Sequence, residues 1–385
     1  MARTAAARAL SMTGASLARR FDVGLACAAD DERVRRLLRE HALPGDVALT
    51  FEREPDGAIA AAIEGDVHQT IVARGRNAGE IAGIASRAER DVFLNGRPAR
   101  LGYLGGLRAD FRGHRVAALL DDGFAFCRTL HEQGNVAAYL TAIVADNHAA
   151  RRLLCGLRSS SAPRFFRAGG LVTLAIPRLR RRPLRGSTGI EVRRGSMELL
   201  PDIVACLDRN GRRYQFTPRW TIEDLRSAQR TPGLESQNFL VAIAGGRVVG
   251  CAATWDQRAF KQVVVRGYSR RLARWRRVVN LAGPWVGAPA LPAVGRPLEF
   301  VYLSHVAVDD DRPEVTAALI SEARRRLPVD VNYIITAFAE ESPMLAAAGR
   351  HRTYRSELYL ACWADGQHLV GSVDARPPHP EVAIL

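Results

Sequence analysis

The feature that most constrains this chain is a repeated order of elements. On either side of a break rich in Pro, Gly and Arg at residues 177–189 (PRLRRRPLRGSTG), strand and helix signals run in the same succession. Before the break, residues 30–41 place Val34, Leu37, Leu38 and His41 on one helical face. β-type runs follow at 67–74 and 80–87. After the tight turn Asn95-Gly96 comes a strand at 99–107. Residues 116–130 return to a helical stripe, 136–144 read as an apolar strand, 147–155 as a short helix and 170–176 as a last strand. After the break the sequence predicts strand 190–194, helix 197–209, a hairpin of 239–243 with 248–255, strand 299–308, helix 313–326, strand 331–338, helix 343–348 and strand 357–363. The reading is a remote duplication. It implies a tail at 1–20, a first domain at 21–177, a basic linker at 178–189, a second domain at 190–365 and a C-terminal tail at 366–385.

With 385 residues, 47% of them hydrophobic and 25% charged, the chain can fill two cores and is not of the disordered class. Its apolar run at 278–294 is broken by Pro284, Pro289 and Pro292, so no membrane helix is expected. The six cysteines lie far apart without C-x-x-C spacing. A reduced cytoplasmic chain without a structural metal is expected. Residues 1–20 lack acidic side chains, but their apolar runs are too short for a secretory signal. The net charge is +15 and Lys261 is the only lysine. That excess suits nucleic acid, an anionic membrane or a phosphorylated ligand equally, and does not select among them.

More specific is the segment 101–120 (LGYLGGLRADFRGHRVAALL), in which a strand enters a loop containing Gly113 and the loop opens into a helix. Unpaired N–H groups and the positive end of the helix dipole coincide at such a start, which suits a pyrophosphate. Here the chain resembles the GNAT acyltransferase superfamily, whose motif is Q/R-x-x-G-x-G/A. Arg112 and Ala117 match its first and last positions, while Arg115 stands where the family usually has glycine. Downstream, TAIVADNHAARRLL (141–154) resembles the family's strand followed by N-x-x-A-x-x-L, with Asn147, Ala150 and Leu153 in register. Asn147 is equally a good helix N-cap.

The resemblance implies two tandem GNAT-like domains of α/β class, each a mixed sheet with helices on both faces. It implies acetyl-CoA or another acyl-CoA as co-substrate, no metal, and binding by Leu107, Arg112, Gly113, His114, Arg115, Val116, Ala117 and Asn147. The acceptor would be the amine of a small molecule or of a protein or peptide, attacking the thioester directly. Nucleic acid and membrane surfaces are disfavoured as partners.

The family often has a tyrosine acid just after the motif leucine, but this chain has Leu154 there. Tyr103 and Tyr139, on the two strands expected to splay, are the substitutes, each equally readable as a core tyrosine. Glu80, with Glu89 and Asp91, is the candidate base region, each otherwise a solvated strand-edge charge. Leu154 and the unidentified base leave a non-catalytic acyl-CoA-binding or sensing protein as the alternative.

The second half departs at HVAVDDDRPEV (305–315). Asp309, Asp310 and Asp311 would repel a pyrophosphate, so no coenzyme is expected there; a metal site and plain helix-start acidity are the two readings. The stretch 268–294 combines arginines with Trp275. It reads as a membrane-facing or acyl-covering helix, or as a connector packed on the second sheet, and as a place to look for specificity.

Overall fold

One mixed sheet runs through both halves of the chain. The computed structural model describes residues 21–43, 45–75, 80–109, 116–157, 159–178, 189–286, 290–349 and 351–385. The expected tail at 1–20, the loop residues Arg112, Gly113, His114 and Arg115, and linker residues 179–188 lie outside the described residues.

The first half comprises β1 (Asp22–Leu25), α1 (Asp31–Glu40), β2 (Val47–Glu52), α2 (Gly57–Ala62), β3 (Val67–Arg74), β4 (Ile81–Leu94), β5 (Arg97–Ala109), α3 (Val116–Glu132), β6 (Tyr139–Val144), α4 (His148–Gly156) and β7 (Arg164–Pro177). The second comprises β8 (Glu191–Arg194), α5 (Leu200–Gly211), β9 (Thr217–Pro218), α6 (Ile222–Arg226), β10 (Phe239–Ala244), β11 (Arg247–Trp255), β12 (Gln262–Tyr268), α7 (Arg270–Val286), β13 (Phe300–Val308), α8 (Pro313–Arg325), β14 (Tyr333–Ala339), α9 (Pro343–Ala348), β15 (Arg352–Cys362) and α10 (Gln367–Ser372).

Strand alternation sorts the helices onto two faces. Val34, Leu37 and Leu38 of α1 pack with Val72 and Ile84, while Cys127 of α3 packs with the neighbouring Ile71 on the other side. In the second half α5 lies over Val241, Cys251 and Ala253, and α8 over Leu240, Ala242 and Ala252. Each half therefore has the expected mixed sheet between helices. No helix among the described residues is long and apolar enough to cross a membrane, and all six cysteines are unpaired.

The sheet order β1-β3-β4-β5-β6-β15-β7-β14-β13-β11-β10-β8 shows what the sequence hid. Strand β15 of the second half lies antiparallel between β6 and β7, and β7 of the first half pairs with β14. Each half's last strand completes the other's sheet. Two separate sheets were expected, and they are instead fused.

Two further expectations change. The region suggested as a tail, 366–385, forms α10 and then threads between the halves. There Gln215 N donates to Pro377 O (3.0 Å), His379 N donates to Gln215 O (2.8 Å), and Ala383 and Ile384 are buried. Its prolines and short apolar run have no period by which sequence reveals burial. Strands β2 and β12 form a separate ribbon, and α7 follows β12 with Trp275, Val278 and Leu281 exposed, rather than packing on the large sheet.

Candidate active site

Parallel strands β5 and β6 pair only at Gly102↔Tyr139 and Tyr103↔Leu140. Beyond these positions they part, although each keeps its outer neighbour, β4 for β5 and β15 for β6. The facing edges of Leu104–Arg108 and Ala142–Val144 thus have no partners in each other. An extended chain bearing amides, as in a pantetheine arm, fits such a gap. Helix α3 begins a few residues after β5 ends. Gly106 (φ +63°) sits at the bulge facing Ile84–Ser86, and a Cβ on Gly105 would lie 2.6 Å from the Tyr103 ring. Glycines there let the tyrosine lie along the strand. Leu107 and Ala117 are exposed and Val116 is half-buried. Asn147 caps α4, its Oδ1 accepting from Ala150 N (3.0 Å).

The two candidate tyrosines occupy opposite faces. Tyr139 is buried beneath α3, where Arg87 Nε donates to its hydroxyl (3.1 Å) and His131 Nδ1 lies 3.2 Å away. Arg87 is also ion-paired with Glu89, so Glu89 is a buried partner rather than the solvated strand-edge charge expected. Tyr139 therefore belongs to a packed polar network. Tyr103 points to the other face and lines a cavity of about 20 Å³ shared with Arg90, Leu140 and Glu381. Burial pushes both tyrosine hydroxyls well above their ordinary pKa. Glu80 is exposed at the start of β4, roughly 26 Å along that strand from Ala88, the residue opposite Tyr103. The fold does not bring Glu80 and Tyr103 together, and Asp91 lies in the wall of another, larger cavity.

A carboxylate missed in the sequence, Glu381, lines the same small cavity as Tyr103. Glu381 Oε2 accepts from His305 N (2.6 Å) and Oε1 from Ala383 N (3.1 Å). Burial raises its pKa to about 7. Lys261, the lone lysine, donates to Ala383 O (3.1 Å), and burial lowers it to about 8. Only the singularity of Lys261 marked this region in the sequence.

Strands β13 and β14 repeat the parallel pairing, from Phe300↔Tyr333 to Tyr302↔Ile335, and then part. At the helix start beyond them, Arg209 Nε donates to Asp309 Oδ1 (2.8 Å) and Arg213 Nη2 to Asp311 Oδ2 (2.7 Å). The aspartates bind arginines, and no group of side chains suited to a metal occurs among the described residues.

A mixed sheet whose central parallel pair splays where a helix enters, occurring twice in one chain, is the GCN5-related N-acetyltransferase fold in tandem. Solved structures share it across almost the whole chain. A GCN5-related N-acetyltransferase from Sphaerobacter thermophilus is 14% identical, with 90% of this chain and 96% of that one covered and a TM-score of 0.50. The Saccharomyces cerevisiae N-myristoyltransferase with bound myristoyl-CoA is 12% identical over 91% of this chain and 85% of that one, with a TM-score of 0.54. No protein-family model and no curated protein matches the sequence.

Proposed function

We propose that this chain is an acyl-CoA-dependent N-acyltransferase, with the coenzyme in the first half and the acceptor amine entering between the halves. The observation that carries the reading is the gap between β5 and β6, which opens beside the start of α3 and has Tyr103 at its closed end. The resemblance gives Arg112, Gly113, His114, Arg115, Val116 and Ala117 to the pyrophosphate, whereas the equivalent start in the second half is occupied by Asp309 and Asp311 paired with arginines. The co-substrate supplies an activated thioester carbonyl. An attacking amine must be neutral, and Glu381, poised near pH 7, is the group to take its proton. The Tyr103 hydroxyl stays protonated at neutral pH and can return a proton to the departing sulfur.

Calorimetric titration with acetyl-CoA, a long-chain acyl-CoA and desulfo-CoA tests the binding half of this reading. One coenzyme per chain is expected, and Gly113→Trp should abolish it. Micromolar affinity retained in that variant, or two coenzymes per chain, would sink the assignment. Turnover on an amine panel tests the rest; tight coenzyme binding with no acylation of any amine would make the protein a binder or sensor instead.

A further inference from the structure

We propose that the outer face of α7 docks the protein on an anionic phospholipid bilayer, as a peripheral surface independent of the coenzyme cleft. The resemblance disfavoured a membrane as partner, but the motifs that carry it do not reach this helix.

From Gln262 to Leu298 the sequence holds seven arginines and no Asp or Glu. The helix formed within this stretch, α7, has two unlike sides. Leu272, Arg276, Val279 and Asn280 are half-buried. Two of them hold the chain that returns from the helix: Arg276 Nε donates to Leu291 O (3.2 Å), Asn280 Nδ2 donates to the same oxygen (3.0 Å), and Asn280 Oδ1 accepts from Leu291 N (2.7 Å). Those contacts fix which side faces outward. By helical periodicity Arg270, Arg274, Arg277 and Leu281 fall along one outward line, and Arg271, Trp275 and Val278 along the next. Trp275 is 58% exposed, Val278 51% and Leu281 78%. The four arginines on these lines are exposed too, and among the described residues none of them has an ion pair or a hydrogen-bond acceptor.

Apolar and cationic side chains side by side on one exposed helix face suit a partner that is apolar and anionic at once. A bilayer with acidic headgroups is both. Trp275, Val278 and Leu281 enter the boundary of headgroups and acyl chains, while the arginines stay level with the phosphates. Nucleic acid neutralises the arginines but gives Val278 and Leu281 nothing to bury against. A second copy presenting the same face sets four arginines against four. Residues 1–20 and 179–188 of this chain carry arginines and no acid, so this face repels them as well.

The test uses the full-length chain and extruded vesicles, by flotation and calorimetry. Vesicles carrying about 30% phosphatidylglycerol should bind at least about tenfold more tightly than phosphatidylcholine alone at low salt, and the preference should shrink toward about 0.5 M salt. Because residues 1–20 and 179–188 are also basic, variants locate the surface. Arg270→Gln, Arg271→Gln, Arg274→Gln and Arg277→Gln together should weaken binding to the anionic vesicles at least about tenfold. Trp275→Ser with Leu281→Ser should weaken it at least about fivefold, yet leave binding to heparin, an anionic polymer with no apolar layer, unchanged. All six side chains are exposed, so both variants should keep the parent's melting temperature and acetyl-CoA affinity. Equal binding to the two kinds of vesicle, binding to neither, or full binding retained by either variant overturns the inference. So does polyuridylate RNA bound more tightly than the anionic vesicles, which makes the face a nucleic-acid surface. A dimer of the parent that the Trp275→Ser, Leu281→Ser variant cannot form overturns it as well, by making the face an interface between copies.

Discussion

A carboxylate in water is almost fully ionised and a poor base at neutral pH, but Glu381 is enclosed by protein and its pKa rises to about 7. As a base it works only when deprotonated, so kcat/KM should rise as pH increases through about 7. Glu381→Gln should lower kcat by about 10²-fold and flatten that limb. A normal pH profile in the variant would dismiss Glu381 from proton transfer. His305 presents the opposite case. It sits at φ +53° against Trp220 (ring centroids 4.4 Å apart), and burial, with Arg90 nearby, lowers its pKa to about 3. Between pH 6.5 and 3 the unfolded chain takes up a proton there that the folded chain refuses, so stability falls as pH falls, by about 1.4 kcal/mol per unit. His305→Asn, which tolerates the backbone conformation, should remove this dependence. From pH 7 to pH 5 the parent should lose about 2 kcal/mol more than the variant in guanidinium unfolding, and equal losses would refute the assignment.

At the level of elements, the two helix starts that follow the splayed strands do different work. Asp309 accepts from Arg209, Arg247 and Asn210 and ties α5 to the end of β13. Asp309→Asn should cost about 1 kcal/mol of stability because it takes the charged partner from the half-buried Arg209. It should leave acetyl-CoA affinity within about threefold; a larger loss measured by calorimetry would place coenzyme in the second half. Elements with strong local period were legible in sequence: β3 and α9 have the bounds expected, and α1 and α3 differ only at their ends. Strands β2 and β12 were not legible, since Glu52 pairs with Gln262 and no local pattern reports so distant a partner. The buried pair Arg87–Glu89 was hidden for another reason: charges on a strand read as solvent-facing unless their partner is known. Likewise the gap between β5 and β6 followed from a contiguous motif. The cavity did not, because Arg90 and Glu381 meet only through the fold.

At the scale of the whole molecule, the exchanged strands make the two halves mutually dependent. Without the second half, β6 would be held to the first half's sheet by two register positions with β5, and β7, whose partners are β14 and β15, would have no strand to pair with. Exposed edges and unpaired backbone groups on that scale are not compatible with a stable sheet. The C-terminal segment adds to the dependence, since Ile384 packs in the same core as Ile63 and Trp255. Residues 1–178 expressed alone should therefore show no cooperative unfolding transition and no coenzyme binding. Co-expressed with residues 189–385, they should form a one-to-one complex, because the strand pairings require no covalent link between β7 and β8. Its acetyl-CoA affinity should lie within about threefold of the intact chain, under ~1 kcal/mol. Circular dichroism melts and size-exclusion chromatography of the fragments, separately and together, decide the matter. A first half that folds cooperatively alone as a monomer, with β7 taking the place of β15, would mean that the exchange is an accident of covalent linkage and not what holds the coenzyme cleft in shape.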